Sequence, residues 1–395
     1  METLISRLIS LGLFKYLGIG AVGVFIWYIG PYIPILRPMP NRIAVIVAVL
    51  VVYLLYLLIR KIFSKRKEDR LSDDLSAHAE GGADPSQQRS QEELQTLKEK
   101  FDEALQILRK SGKGRLARGS LYSLPWYMII GPPGSGKTTL LVNSGLQFPL
   151  AEKMGLSKLQ GVGGTRFCDW WFTDEAIIVD TAGRYTTQDS DEQVDNAAWM
   201  GFLGMLRKNR KRRPINGIIV AISMDELARQ SEVDRERSAT AVSQRIQELY
   251  EKLGVRFPVY VMFTKCDLMS GFVESFGAMS KEERSVVWGF TVPLREEGDT
   301  GAIFEEHFDE LVRALQGFCV GRIDDERRLD KRHKVFGFPQ QLGELRRCFT
   351  EFINQLFAEN VFSDTPMMRG AYFASGTQEG RPFDLILQRL AGAYN

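Results

Sequence analysis

Three observations predict an α/β fold with a mixed sheet, preceded by a two-helix transmembrane hairpin. Two long apolar runs without charge open the chain, at 16–36 and 43–59. A short apolar run at 123–130 ends in the sequence GPPGSGKTT. Several later apolar runs each end in a polar cluster, and segments of helical periodicity separate them. The averages alone are those of an ordinary globular chain: 395 residues, 44% hydrophobic and 25% charged. At about 100–200 residues per domain, that length suggests two or three domains. A formal charge of +2 supplies no basic field for nucleic acid. The 4 cysteines lie far apart with no C-x-x-C, which excludes a disulfide scaffold and a zinc ribbon. The 3 histidines cannot make a His-rich metal site.

Residues 1–63 read as the hairpin. A helix rises 1.5 Å per residue, so about 20 residues cross a hydrocarbon core roughly 30 Å thick. The first run is long enough. The second sits at the short limit, where flanking Arg and Lys can snorkel. Trp27, Tyr28 and Tyr32 belong at an interface. Arg7 and Lys15 precede the first span, and Arg60, Lys61, Lys65, Arg66 and Lys67 follow the second. Only Arg37 and Arg42 lie between, among Pro31, Pro34, Pro38 and Pro40. The positive-inside rule places both ends and residues 60–395 in the cytoplasm. Unpaired cysteines agree with that compartment.

Residues 64–90 are polar and charged and read as a flexible linker. In 91–118, Leu94, Leu97, Phe101, Leu105 and Leu108 share one helical face, which predicts an amphipathic helix that packs on the next domain. That domain spans 119–267. Gly131, Pro132, Pro133, Gly134, Ser135, Gly136, Lys137, Thr138 and Thr139 fit G-x-x-x-x-G-K-[ST] between a strand and a helix. Glycines turn consecutive N–H groups toward a phosphate, Lys137 adds charge at the β/γ-phosphates, and the Thr138 hydroxyl suits Mg²⁺.

The runs at 169–172 and 176–183 form a hairpin whose second strand ends in D-T-A-G. Asp180 there is placed to reach Mg²⁺ through water, and the Gly183 N–H to meet the γ-phosphate. Strands at 217–222 and 258–267 follow. The second ends in Thr264, Lys265 and Asp267 (T-K-x-D), where Asp267 can accept from guanine with the Lys265 stem over the base; the alternative is a cap on the next helix. A last strand at 370–375 runs into Ser375 and Gly376, which complete a base pocket. Two segments stay ambiguous. Residues 161–165 are either a flexible glycine loop or a mobile loop bringing Thr165 to the metal. Residues 208–213 are either a solvated basic helix end or a site for an acidic partner.

The hairpin, charged linker, phosphate loop, D-T-A-G-R-Y at 180–185, T-K-x-D and S-G-T-Q-E-G at 375–380 occur in one order. Together they resemble the IcmF/TssM family, inner-membrane subunits of type VI secretion systems. The resemblance implies a P-loop, small-GTPase-like cytosolic domain interrupted by a helical insertion. Helical patterns near 281–288, 303–315 and 341–357 place that insertion at 268–369, and 370–395 returns to the domain. It implies a bacterial inner-membrane scaffold that binds, and on the same residues hydrolyses, ATP or GTP with Mg²⁺. The catalytic set is then Lys137, Asp180 and Arg184; Arg184 stands where many GTPases carry glutamine and is suited to stabilising transferred charge. The implied partners are self-association, a smaller TssL-like inner-membrane subunit, baseplate components and a TssJ-like lipoprotein. The lipoprotein is reached through regions expected beyond Asn395, since family members continue into a third span and a periplasmic part. Two alternatives stand beside this reading: a purely structural anchor without hydrolysis, and a membrane-tethered regulatory GTPase.

Overall fold

A computed structural model describes residues 85–111, 122, 124–148, 168–173, 175–188, 191–284, 286–294, 296, 298–359, 365–376 and 382–385, with scattered positions between 27 and 48. The chain divides into two units, 1–84 and 85–395. In the first, positions 39–41, 43, 45, 47 and 48 are helical. Among the described residues no helix is long and apolar enough to cross a membrane. Most of the two apolar runs lies outside the described residues, as does 64–84.

The second unit opens with helix α1 (Pro85–Ser111), which starts inside the stretch expected to be linker. Pro85 explains the start, because a proline at the first helical position sacrifices no intrahelical bond. Leu97, Phe101 and Leu105 are buried, as the periodicity predicts. Then come β1 (Trp126–Ile130), α2 (Lys137–Val142), β2 (Cys168–Phe172), β3 (Ile177–Thr181), α3 (Gly183–Thr187) and α4 (Glu192–Asn209). They are followed by β4 (Gly217–Ser223), α5 (Met224–Arg229), α6 (Glu232–Leu253) and β5 (Pro258–Thr264). Polar side chains start these helices: Asp191 accepts from the Val194 N–H, Ser223 from Glu226 and Ser231 from Asp234. Gly254, at φ 65°, ends α6 in the left-handed conformation.

Seven strands form one sheet in the order β2-β3-β1-β4-β5-β7-β6. β1 pairs in parallel with β3 on one side and β4 on the other, and β5 and β7 continue in parallel. The outer strands β2 and β6 are antiparallel. Side chains alternate between faces. Met128, Val179, Val220 and Val261 enter the main core, whereas Ile129, Ile178 and Ala221 meet Leu141 of α2 on the other face.

The segment expected to be helical holds α7 (Phe272–Phe276), α8 (Lys281–Arg284), α9 (Thr300–Asp325), α10 (Leu329–Glu344) and α11 (Arg346–Leu356). It also holds a strand that the pattern did not foretell, β6 (Gly289–Thr291), antiparallel to β7 (Met367–Phe373). Helical periodicity at 281–288 breaks after Arg284. Trp288 turns instead into an aromatic cluster with Phe272, Phe276, Phe338 and Phe373. A Cβ on Gly289, at φ 150°, would collide with the Ala371 carbonyl. These helices share the main core. Phe263 of β5 lies against Phe304 of α9, Phe349 of α11 and Phe373 of β7.

Phe263 is fully buried. Phe263→Ala is expected to lower unfolding stability by about 3–5 kcal/mol, read from the urea midpoint at unchanged slope.

Candidate functional site

β1 is the point where the strand order reverses, since the chain leaves it toward β3 on one side and β4 on the other. A crevice opens at such a point beyond the carboxyl ends of parallel strands. The loop Gly131–Gly136 lies there, between β1 and α2. Its glycines are required by geometry. A Cβ on Gly131 would strike the Ala221 carbonyl oxygen, and Gly136, at φ 79°, starts α2 from the left-handed region. The Lys137 ammonium donates to the carbonyls of Gly131 at 2.8 Å and Pro132 at 3.0 Å, and to the Ser135 hydroxyl at 3.3 Å. It is 6% exposed. Burial lowers its pKa to about 8, against the opposing pull of the Asp180 charge.

Asp180 ends β3 and is fully buried. The Thr138 hydroxyl donates to its Oδ2 at 2.6 Å, so the loop and the β3 carboxylate are joined directly. A hydroxyl and a carboxylate form a hard oxygen pair, the donor set that suits Mg²⁺ completed by water and phosphate oxygens. Among the described residues no cluster of three or more His, Cys, Asp or Glu could hold a metal; a site of one carboxylate and one hydroxyl needs none. Thr165, the third expected metal ligand, lies outside the described residues, as does all of 149–167.

Gly183 begins α3 against the loop. A Cβ there would overlap the peptide between Pro132 and Pro133. Thr186, one helical turn on, accepts from the Gly131 N–H at 3.2 Å and is 3% exposed. No motif flagged Thr186; its place follows only once α3 is known to be helical. Arg184, expected to stabilise phosphate charge, is engaged by carboxylates of the protein itself. Its guanidinium makes a two-pronged pair with Glu93 of α1, both bonds at 3.0 Å, and a 2.6 Å bond to Asp195 of α4. Burial works against its charge, but the Glu93 bonds and the Asp195 field outweigh it and raise its pKa.

The T-K-x-D residues divide. Thr264 is 3% exposed, and its hydroxyl lies 2.6 Å from the Ser135 carbonyl and 3.2 Å from that of Ile222. It therefore fixes the Gly131–Gly136 loop from β5 and β4. Lys265 has φ 58°, left-handed backbone that turns the chain out of β5. Asp267 accepts from the Ser375 hydroxyl at 2.8 Å, which brings together two residues expected to border a base. The loop beyond β7 is further tied by the Cys266 N–H to the Ala374 carbonyl at 3.2 Å. Gly376 follows Ser375, and 377–381 lie outside the described residues.

Residues 192–395 match the IcmF-related N-terminal domain family. The chain is 53% identical over 308 residues to the type VI secretion system component TssM1 of Pseudomonas aeruginosa. That alignment covers 77% of this chain and 28% of the relative, so the chain spans little more than a quarter of that protein. Among solved structures, it is similar to a chain of the signal recognition particle receptor SRb-GTP/SRX complex from Chaetomium thermophilum. That likeness is 18% identical, covers 42% of this chain and 83% of the other, and has a TM-score of 0.24, too low to carry a fold assignment.

Thr264→Val keeps the shape and removes the hydroxyl from two buried carbonyls. It is expected to cost about 1–3 kcal/mol in thermal or urea unfolding. Thr264→Ser is expected to recover most of that loss.

Proposed function

The chain belongs to the IcmF-related family, and from that premise we propose that it is the anchor and nucleotide-binding portion of an inner-membrane subunit of a type VI secretion complex. In this reading 16–36 and 43–59 are the two spans, and 85–395 is cytosolic and binds a nucleoside triphosphate. The supporting observation is the joining of Lys137, Thr138, Asp180 and Gly183 at one strand-order reversal. Loop N–H groups and Lys137 hold the phosphates, and Asp267 with Ser375 and Gly376 borders the base. Thr138 and Asp180 would hold Mg²⁺, which when bound neutralises phosphate charge. Whether the base is adenine or guanine turns on Asp267, whose carboxylate is shared with Ser375. The other secretion subunits, a TssL-like membrane subunit and baseplate components among them, are the proposed partners.

One observation favours nucleotide binding without rapid hydrolysis. Arg184 is engaged by Glu93 and Asp195, and an arginine cannot serve as a general base. Bound nucleotide then acts by holding α3 and the loops around it in one arrangement, with turnover slow or absent.

Calorimetry of the full chain in detergent with ATP and GTP analogues tests binding and base choice together. Lys137→Ala removes a charge-assisted set of bonds and is expected to weaken binding by about 10–100-fold. Equal affinity in the two proteins would overturn the reading. Affinity should also depend on pH. The unbound lysine has its pKa lowered to about 8, and a bound polyphosphate favours its charged form. Affinity is therefore full below about pH 8 and falls as pH rises above it. Lys137→Met should flatten that profile, measured by titration calorimetry from pH 6.5 upward.

A further inference from the structure

α3 is a five-residue helix with two different sets of contacts. Gly183 and Thr186, one turn apart, share a face. Gly183 presses on the Pro132–Pro133 peptide, and Thr186 accepts from the Gly131 N–H. Arg184 points off that face to Glu93 and Asp195, with its guanidinium also 4.8 Å from the centre of the Tyr185 ring. Asp195 is fully buried in the first turn of α4, where the positive helix end tolerates it. Tyr185 is 1% exposed and packs on Trp199. A segment this short cannot bend between its two attachments. A displacement of the Gly183 backbone therefore bears on the neighbouring Arg184.

The far attachment is also well placed. Glu93 lies toward the amino end of α1, which follows the proposed membrane hairpin in the sequence. Farther along, Leu97, Phe101 and Leu105 anchor α1 in the core, and Lys100 pairs with Asp169 of β2 at 2.8 Å. α1 thus has a fixed apolar section and, before it, one ionic latch. Opening the latch takes the Arg184 charge away from Glu93 and from the fully buried Asp195, which costs more than parting an exposed pair.

We propose that α3 is a relay through which the phosphate loop controls the amino-terminal part of α1, with the Arg184–Glu93 pair as its coupling contact. The proposal rests on the reading that the loop binds a triphosphate. A triphosphate carries a terminal phosphate that the Gly183 N–H would hold and that a diphosphate lacks; holding it would shift the Gly183 contact with Pro133 and, through α3, Arg184. Linkage makes the effect mutual, so whatever shifts the amino-terminal part of α1 alters triphosphate affinity by the same factor.

The test is hydrogen exchange on the full chain in detergent, with Mg²⁺ and either a non-hydrolysable triphosphate analogue or the diphosphate, alongside calorimetry. The triphosphate is expected to change exchange at 90–95 by about fivefold or more, the lower range of ordinary allosteric coupling, with 98–105 unmoved. Glu93→Gln should abolish that difference and shift the ratio of triphosphate to diphosphate affinity by a similar factor. Arg184→Lys, which keeps the charge and loses the fork, reads the same ratio should Glu93→Gln fold poorly. The relay is overturned by analogue binding that leaves 90–95 unmoved and the affinity ratio unchanged in both variants. Absence of any binding heat would instead bring down the nucleotide reading, and the relay with it.

Discussion

Parallel pairing of β1 with β3 and with β4 is the constraint from which the site follows. Met128 stands opposite both Val179 and Ile218, so the carboxyl ends of the three strands come out side by side. Extending the same direction to β5 and β7 brings Thr264 and Phe373 to that edge. Four of the polar clusters noted in the sequence are exits from these strands. Gly131–Gly136 leaves β1, Ala182 and Gly183 leave β3, Lys265–Asp267 leaves β5, and Ala374–Gly376 leaves β7. Residues far apart in the chain become neighbours because the hydrogen-bond register of one sheet leaves no other arrangement.

The edge is electrostatically tight. Lys137 and Asp180 are both buried, and each would be costly alone. Their oxygen and hydrogen partners are drawn from the loop itself: two carbonyls and a hydroxyl for the lysine, the Thr138 hydroxyl for the aspartate. The same groups that suit a polyphosphate and a divalent cation hold one another in place. Thr264 adds a brace from below, through the Ser135 carbonyl. The loop is preorganised by side chains that a ligand need not touch.

Much of this was legible from residue type and order. The glycine spacing predicted a tight loop between a strand and a helix, and the D-T-A-G run predicted a strand-end carboxylate beside it; both are present. Apolar spacing placed the buried face of α1. Three things were not legible. Arg184 read as a phosphate ligand because sequence distance says nothing of Glu93, which is 91 positions away. Thr264 read as part of a base pocket because a threonine at a strand end shows no sign of which way its hydroxyl turns. β6 was hidden inside a helical pattern, since three residues are too few to establish an alternation and the packing of Trp288 decides the outcome.

That short strand has a consequence for how this sheet meets other chains. Open sheet edges invite pairing with another chain, and proteins suppress this by shortening or covering them. Here one margin ends in a three-residue strand whose glycine fits close against its neighbour, and the other, β2, is covered by α1 through Phe101 against Trp170 and Lys100 against Asp169. A sheet finished in this way can be crowded at a surface without zippering to the sheet beside it. Any contact such a sheet makes with another chain is then left to side chains and helices, which can be made and unmade.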